Sequence, residues 1–307
     1  MVAVLRAVAS VVRGQDQALT TIGCALFSGG HAVIEDRPGS GKTTMAKAFA
    51  ATVGGDFARV QATADLLPAD ISGSSMWQGH DVAGGRFVFV PGPLFATVVL
   101  VDELNRMPPR TQSAFLEAMD EGAVTVDGVR HRLPEPFFLI ATQNPAEHHG
   151  TYAVPQAQLD RFAVAVRLAP LSGATELRVI RDQLSGPSVE RLGTVIDPAG
   201  LWRIQQAVRH VHVADAVLDY GARLAAATRG RQHRAQGAGT RAAISLLRVA
   251  QAHALIGGRD HVTPDDIKAV AVDALAHRVG PVDGDDTTAS DPHALVRDAL
   301  ARTPIHP

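Results

Sequence analysis

Ile34-Glu35-Asp36-Arg37-Pro38-Gly39-Ser40-Gly41-Lys42-Thr43-Thr44 decides how this chain is read. The β-branched run Ala32–Glu35 predicts a strand, Pro-Gly-Ser-Gly a turn, and Thr43–Val53 a helix. Backbone amides of a glycine-rich turn that opens a helix converge on phosphate oxygens, and the helix end adds positive potential. There Lys42 neutralises the β and γ oxygens of a triphosphate, and the Thr43 hydroxyl is placed for Mg²⁺. The candidate phosphate-binding set is therefore Asp36, Arg37, Pro38, Gly39, Ser40, Gly41, Lys42, Thr43 and Thr44. The pattern departs from G-x-x-x-x-G-K-[ST] at its first position, where Asp36 stands. Aspartate enters left-handed dihedrals more readily than most residues, and Arg37 offsets its charge. An incidental lysine after a glycine turn is the bland alternative, and the strand–loop–helix order argues against it.

Working outward, further strand-like runs lie at Phe57–Gln61, Val98–Val101, Phe137–Thr142 and Phe162–Leu168. They alternate with helical patterns, as in a sheet wound with helices. Val98-Val99-Leu100-Val101 is apolar without alternation, as a strand buried on both faces requires. It delivers Asp102 and Glu103 to the sheet edge where ligands sit in open α/β folds. Asp102 suits the Mg²⁺ shell and Glu103 suits polarising an attacking water. By itself an Asp-Glu pair after a strand is more often a helix-start charge pair, and it is the company of Lys42 that makes it specific. Phe137–Thr142 leads through Gln143 to Asn144, whose amide can orient water without adding charge; Asn-Pro is otherwise a common turn initiator. Arg161, just before the fifth strand, and Arg241, at a helix start, are fork-shaped permanent cations suited to charge on a transferring phosphoryl group. In isolation either reads as a solvated surface charge.

Two hairpins interrupt the alternation. Val124–Val126, Asp127-Gly128 and Val129–Leu133 form the clearer one, since Asp-Gly between alternating runs favours a tight turn. Ser75–Gln78 and Arg86–Val90 suggest a second, inside a connection longer than a crossover needs. After about residue 169 strand patterns give way to alanine-rich helical ones: 171–186, then 201–212, 216–229, 241–256 and 264–277. Thr263-Pro264-Asp265-Asp266 is a readable helix start. A polar, acidic stretch, 281–290, precedes a final amphipathic helix near 292–301.

The 307 residues, 46% hydrophobic and 20% charged, suit two globular domains. A net charge of −2 gives no bulk case for binding nucleic acid or an anionic membrane. One cysteine excludes an intramolecular disulfide scaffold and points to a reducing compartment. No apolar run is long enough to span a bilayer, so a cytoplasmic protein is expected.

The order of these parts resembles the MoxR family of AAA+ ATPases over nearly the whole chain. The resemblance is carried by Val12-Arg13-Gly14-Gln15-Asp16, Gly29-Gly30-His31, the phosphate loop, Asp65-Leu66-Leu67-Pro68-Ala69-Asp70 and Pro91-Gly92-Pro93-Leu94-Phe95. It continues through Asp102-Glu103-Leu104-Asn105-Arg106, Ala123-Val124-Thr125-Val126-Asp127-Gly128, Ala141-Thr142-Gln143-Asn144-Pro145, Gly150-Thr151-Tyr152 and Ala157-Gln158-Leu159-Asp160-Arg161-Phe162. It implies an α/β P-loop NTPase (AAA+) fold: a parallel five-stranded sheet with helices on both faces, plus a smaller all-α lid domain. The implied division is a core at 1–172 with inserts at about 71–92 and 123–136, a hinge at 173–190, a lid at 191–280, and a linker with C-terminal helix at 281–307. The resemblance assigns Lys42 and Thr43 to Walker A, Asp102 and Glu103 to Walker B, and Asn144 to sensor one. Arg161 resembles the arginine finger acting in trans and Arg241 resembles sensor two. The family's loops also carry aspartate at the position of Asp36, while Thr240 stands where many members have proline.

The resemblance further implies ATP as the nucleotide, with Mg²⁺, in a ring that is commonly a hexamer. It implies chaperone-like remodelling or maturation of a client protein, often with a von Willebrand factor A (VWA) domain partner. The alternatives within this branch are a metal-chelatase-type motor subunit and a DNA-dependent motor; the near-neutral charge and 5% aromatic content argue against the second. A scaffold with a dead site would have no use for Glu103. The thirteen histidines do not make a metal site, since His148-His149 and His210 with His212 lack further ligands at suitable spacing. Cys24 reads as a small buried hydrophobe. Phe87 and Phe89 read as hairpin packing, with a client-contact role as the alternative.

Overall fold

The computed structural model describes residues 1–35, 41–79, 85–144, 150–184, 189–229, 235–281 and 291–305. The N-terminal half contains α1 (Val2–Val11), α2 (Asp16–Ser28), β1 (Ala32–Glu35), α3 (Lys42–Val53), β2 (Phe57–Gln61), α4 (Pro68–Ser72), β3 (Gly73–Gln78), β4 (Arg86–Pro91) and β5 (Val98–Asp102). It continues with α5 (Pro109–Glu121), β6 (Ala123–Val126), β7 (Val129–Arg132), β8 (Phe138–Gln143), α6 (Gln156–Leu159) and β9 (Val164–Arg167). Helices follow: α7 (Gly173–Leu184), α8 (Pro198–Arg209), α9 (Asp215–Ala227), α10 (Thr240–Ile256), α11 (Pro264–Leu275) and α12 (Pro292–Arg302).

Five strands pair in the order β2-β5-β8-β1-β9, and every pairing is parallel. Alternate residues of the central strands serve two cores. Val98, Leu100, Ile140, Ala32 and Ile34 face one, while Val99, Val101, Leu139, Ala141 and Val33 face the other. The second core is closed by α4 and α5 through Ile71, Phe115 and Ala118. The first is closed by α1, α2 and α3, and it runs without a break into the helical half through Leu201, Leu224, Leu246 and Ile267. Full burial of a leucine-sized side chain stabilises by about 1.5–3 kcal/mol, so the helical half is fastened to the sheet by its own interior.

Local chemistry explains the ends of these elements. Gly41, at φ 86°, precedes α3 in a left-handed conformation that favours glycine, although a Cβ there would meet nothing within 4 Å. Asp127 and Gly128 both take positive φ, 51° and 78°, the turn that Asp-Gly favours between β6 and β7. Thr263 and Asp266 exchange capping hydrogen bonds at the start of α11, with Pro264 in its first turn. The fifth strand is shorter than the run 162–168 suggests. The Arg161 and Phe162 amides bond back to Gln158 O and Leu159 O, which holds residues 158–162 in a turn. The helix expected at 171–186 is seen as Gly173–Leu184, and 185–186 lie outside the described residues. No described helix is long and apolar enough to cross a membrane.

Candidate functional site

Because the five strands are parallel, their carboxyl ends form one edge. That edge presents Glu35 paired with Gln143 and Gln61 paired with Asp102, beside Lys42 and Thr43 at the start of α3. Asp102 is 6% exposed. One of its oxygens lies 3.5 Å from Thr43 Oγ1 and 2.7 Å from Arg59 Nε, and the other accepts from Thr142 Oγ1 at 3.4 Å. A hydroxyl and a carboxylate in that proximity are hard oxygen donors of the kind Mg²⁺ takes, so these residues fit the ion the sequence implies. Asp36, Arg37, Pro38, Gly39 and Ser40 lie outside the described residues.

Glu103 takes φ 60° and ψ 50°, a left-handed conformation that costs a non-glycine residue about 1 kcal/mol or more. Its amide donates to Thr142 Oγ1 at 2.9 Å, which ties the residue after β5 to β8. Its carboxylate accepts from Gln61 Nε2 at 3.1 Å and pairs with Arg106 at 3.1 Å. Arg59 in turn donates to Gln61 Oε1 at 3.1 Å. Two residues on one face of β2 thus hold both acidic groups. Asn144 follows β8, and its carbonyl accepts from Asn105 Nδ2 at 3.4 Å. Gln143 donates to Glu35 at 2.9 Å, and Arg167 reaches the same carboxylate at 3.2 Å.

A cavity of about 880 Å³ adjoins this edge, bounded by Val12, Gln15, Gly41, Thr44, Leu168 and Val179. Gln15 locks its rim: its amide nitrogen donates to Ala169 O at 2.8 Å and its oxygen accepts from Ala169 N at 3.0 Å. Thr44 therefore faces the cavity while Thr43 faces Asp102. Sequence reasoning missed this chamber. The one signal was Val12-Arg13-Gly14-Gln15-Asp16, which carries no chemistry until residues 168–171 are folded against it.

The two arginines stand elsewhere. Arg161 Nε donates to Asp120 Oδ2 at 2.6 Å, and Arg241 pairs with the other oxygen of Asp120 at 3.4 Å. Asp120 belongs to the last turn of α5, next to Met119, whose carbonyl is 3.4 Å from His31 Nε2. His31 precedes β1, and its own carbonyl accepts from Ala163, which precedes β9. The arginine pair therefore lies at the amino ends of the strands, a strand length (roughly 13 Å) from the Lys42 edge. Arg241 is brought to Arg161 through their shared partner Asp120.

Among the described residues the histidines do not gather as a metal centre. His31 is 6% exposed, accepts from Leu139 N at 3.2 Å, and is pushed down to about pKa 4 by burial. Among the described residues no three His, Cys, Asp or Glu side chains cluster as metal ligands, and His148 and His149 lie outside them. Cys24 is fully buried, and burial pushes its thiol up, away from reactivity. Phe89 stacks on His131 at 3.8 Å and meets Phe95 edge-on, while Phe87 is 70% exposed against Trp77.

The chain is similar to known proteins. Residues 31–164 match the family described as "ATPase family associated with various cellular activities (AAA)", and residues 226–298 match the AAA lid domain. The uncharacterised protein YeaC of Bacillus subtilis is 43% identical over 83% of this chain and 79% of its own. Chaperone MoxR1 of Mycobacterium tuberculosis is 36% identical over 88% of this chain and 72% of its own. A crystal structure from Cytophaga hutchinsonii superposes with a TM-score of 0.88 at 34% identity, covering 99% of this chain and 94% of that one. With its α/β P-loop core, its helical lid and these relatives, the chain belongs to the MoxR family of AAA+ ATPases.

Proposed function

We propose that this protein hydrolyses ATP at sites shared between neighbouring copies and uses the cycle to remodel or mature a client protein. Asp36 to Ser40 with Gly41, Lys42, Thr43 and Thr44 cradle the triphosphate, and the cavity beside Gln15 takes the base and sugar. Thr43 and Asp102 would hold Mg²⁺, which when bound neutralises charge on the β and γ oxygens. Glu103 accepts a proton from the attacking water and Asn144 orients it. Arg161, with Arg241 beside it, comes from the adjacent subunit to meet charge that grows on the γ-phosphoryl group. In this reading the assembly is a homo-oligomeric ring, most simply a hexamer, working in the cytoplasm. A VWA-domain protein is its partner, and neither nucleic acid nor membrane is bound.

One observation supports the shared site above others. Arg161 and Arg241 share Asp120 at the amino edge of the sheet, while Lys42, Thr43, Asp102 and Glu103 gather at the carboxyl edge. Within one copy the two groups cannot meet on one nucleotide, whereas a second copy brings them together.

Mixing variants tests this. Glu103→Gln should retain nucleotide affinity and lose about 10²-fold or more in turnover. Arg161→Ala should do the same through a different group, by about 10³-fold or more. Mixed subunits should recover turnover, because an Arg161→Ala subunit still supplies Glu103 to a site completed by its neighbour's Arg161. Full turnover by a dilute monomer, unchanged by loss of Arg161, would refute the shared site.

A further inference from the structure

The helical lid holds the backbone on both sides of Arg161. Arg278, in the turn after α11, is buried, its side chain 2% exposed. A guanidinium is permanently charged and costly to bury unless it is held by partners. Here Nη2 donates to two main-chain carbonyls, Asp160 O at 3.0 Å and Phe162 O at 2.6 Å, the residues immediately before and after Arg161. Nε faces Asp160 Oδ1 at 3.3 Å, an ion pair without hydrogen-bond alignment, and Nη1 has no hydrogen-bond partner among the described residues.

Its neighbour acts on the same segment. His277 Nε2 donates to Phe162 O at 2.9 Å, and the His277 carbonyl accepts from Gln156 Nε2 at 2.6 Å, at the start of the turn that leads to Arg161. Burial pushes the His277 ring down to about pKa 3, so it is neutral and keeps one N–H for this bond. Burial likewise lowers Arg278 to about 10, against the pull of Asp160, and it stays a cation at neutral pH. From α10, Arg241 reaches Asp120, the partner of Arg161, and Ser245 Oγ donates to Ala163 O at 3.5 Å. Helical-half side chains thus bind residues 160, 162 and 163, and Gln156 binds back to the His277 carbonyl. The Arg161 guanidinium itself is tied to Asp120 and to Ala157 O, at 2.6 Å each.

We infer that Arg278 is a positioning residue for Arg161: it fixes the backbone flanking that arginine to the lid, so that lid and arginine edge move as one body toward the adjoining subunit. The inference rests on the reading of Arg161 as a group supplied in trans. It gives the lid a role that its packing suggests, since the cavity of the same chain is bounded by α3, α7 and the N-terminal segment and not by α8 to α11.

The test uses the full-length chain carrying Arg278→Lys, which keeps the charge but cannot span two carbonyls and a carboxylate, and Asp160→Asn, which removes the ion-pair partner and leaves the interior packed. Each should lower turnover about tenfold to a hundredfold, the size expected of a small misplacement, with affinity for a fluorescent ATP analogue changed less than about twofold. Each should be rescued by mixing with Glu103→Gln subunits, because the fault lies in what the variant offers its neighbour. In an Arg161→Ala background neither should slow turnover further. Wild-type turnover in both variants, an unrescued loss on mixing, or an additional loss on top of Arg161→Ala would each overturn the proposal. A wild-type rate for Arg161→Ala alone would instead remove the underlying reading of that arginine, and the proposal with it.

Discussion

Arg59 lies 2.7 Å from the Asp102 oxygen that also faces Thr43, so a protein cation stands on the carboxylate that the site offers to a metal. Without Arg59, Asp102 would confront a metal-free polyphosphate uncompensated, whereas a bound Mg²⁺ would still compensate it. Arg59→Gln should therefore weaken nucleotide binding in chelator and leave it nearly intact in Mg²⁺. The ratio of the two dissociation constants, measured with a fluorescent nucleotide, should widen by about tenfold, or about 1.4 kcal/mol. Equal losses in both conditions would mean that Arg59 only braces the strand. Gln61 and Arg106 show the same economy around Glu103, whose left-handed backbone is sustained by the Thr142 hydroxyl. Lys42, Asp102 and Glu103 were legible in their placement because Lys42 opens the helix after one strand-like run, the acidic pair ends another, and chain order alone implies a shared edge. Arg59, Asp120 and Arg278 were not. Each acts on a residue at least 41 positions away, and nothing local in the sequence announces such a meeting.

Among the elements, the five sheet strands and the Asp-Gly hairpin were readable because β-branched runs and turn residues are local signals. Sheet order was not, because it follows from which helix covers which face. The two inserts lean on each other. Phe89 of β4 stacks on His131 of β7, whereas Phe87, two residues earlier on the same face of the strand, lies past that contact against Trp77, and the two are exposed at 70% and 59%. One face of β4 thus runs from a position fastened to the second hairpin to a position with large apolar groups in water. Phe87→Ala should change stability by less than about 0.5 kcal/mol, as exposed positions do, while Phe89→Ala should cost about 1–2 kcal/mol and free the hairpins from each other. Urea denaturation of the two variants decides the point. Equal costs would mean that the hairpins are held by other contacts.

For the whole molecule, one apolar interior joins the sheet's first face to the helical half; of two buried histidines, His277 ties the helical half to Phe162, and His31 sits beneath α5 on the other face. His31 and His277 are held at about pKa 4 and 3, below the 6.5 of an unfolded chain. Between those values the unfolded chain binds protons that the folded chain refuses, so stability rises with pH across this window. It should be complete above about pH 6.5 and fall as the solution is acidified toward pH 4, by on the order of 2 kcal/mol for each ring at about pH 5. Asp266, whose hydrogen bonds from Arg259, His253 and Thr263 outweigh burial and hold it well below the usual carboxylate range, contributes its loss only in stronger acid. Urea midpoints at about pH 7.5 and pH 5 should show the slope, and His31→Gln should flatten it. A midpoint independent of pH in wild type would mean that these rings are charged or wet when folded.

Helix α7 borders the cavity with Glu176, Val179 and Gln183, and it has no buried residue along Gly173–Leu184. Leu177, Ile180 and Leu184 lie open to water at 57%, 49% and 85% exposure. Twelve residues of helix are barely self-supporting in water, so this segment borrows its order from whatever rests against it. A guest in the chamber would steady it from within and a neighbour on the oily stripe from outside. Each contact would lower the entropic cost of the other, and α7 would serve as the hinge-pin through which filling a site and joining a ring favour one another.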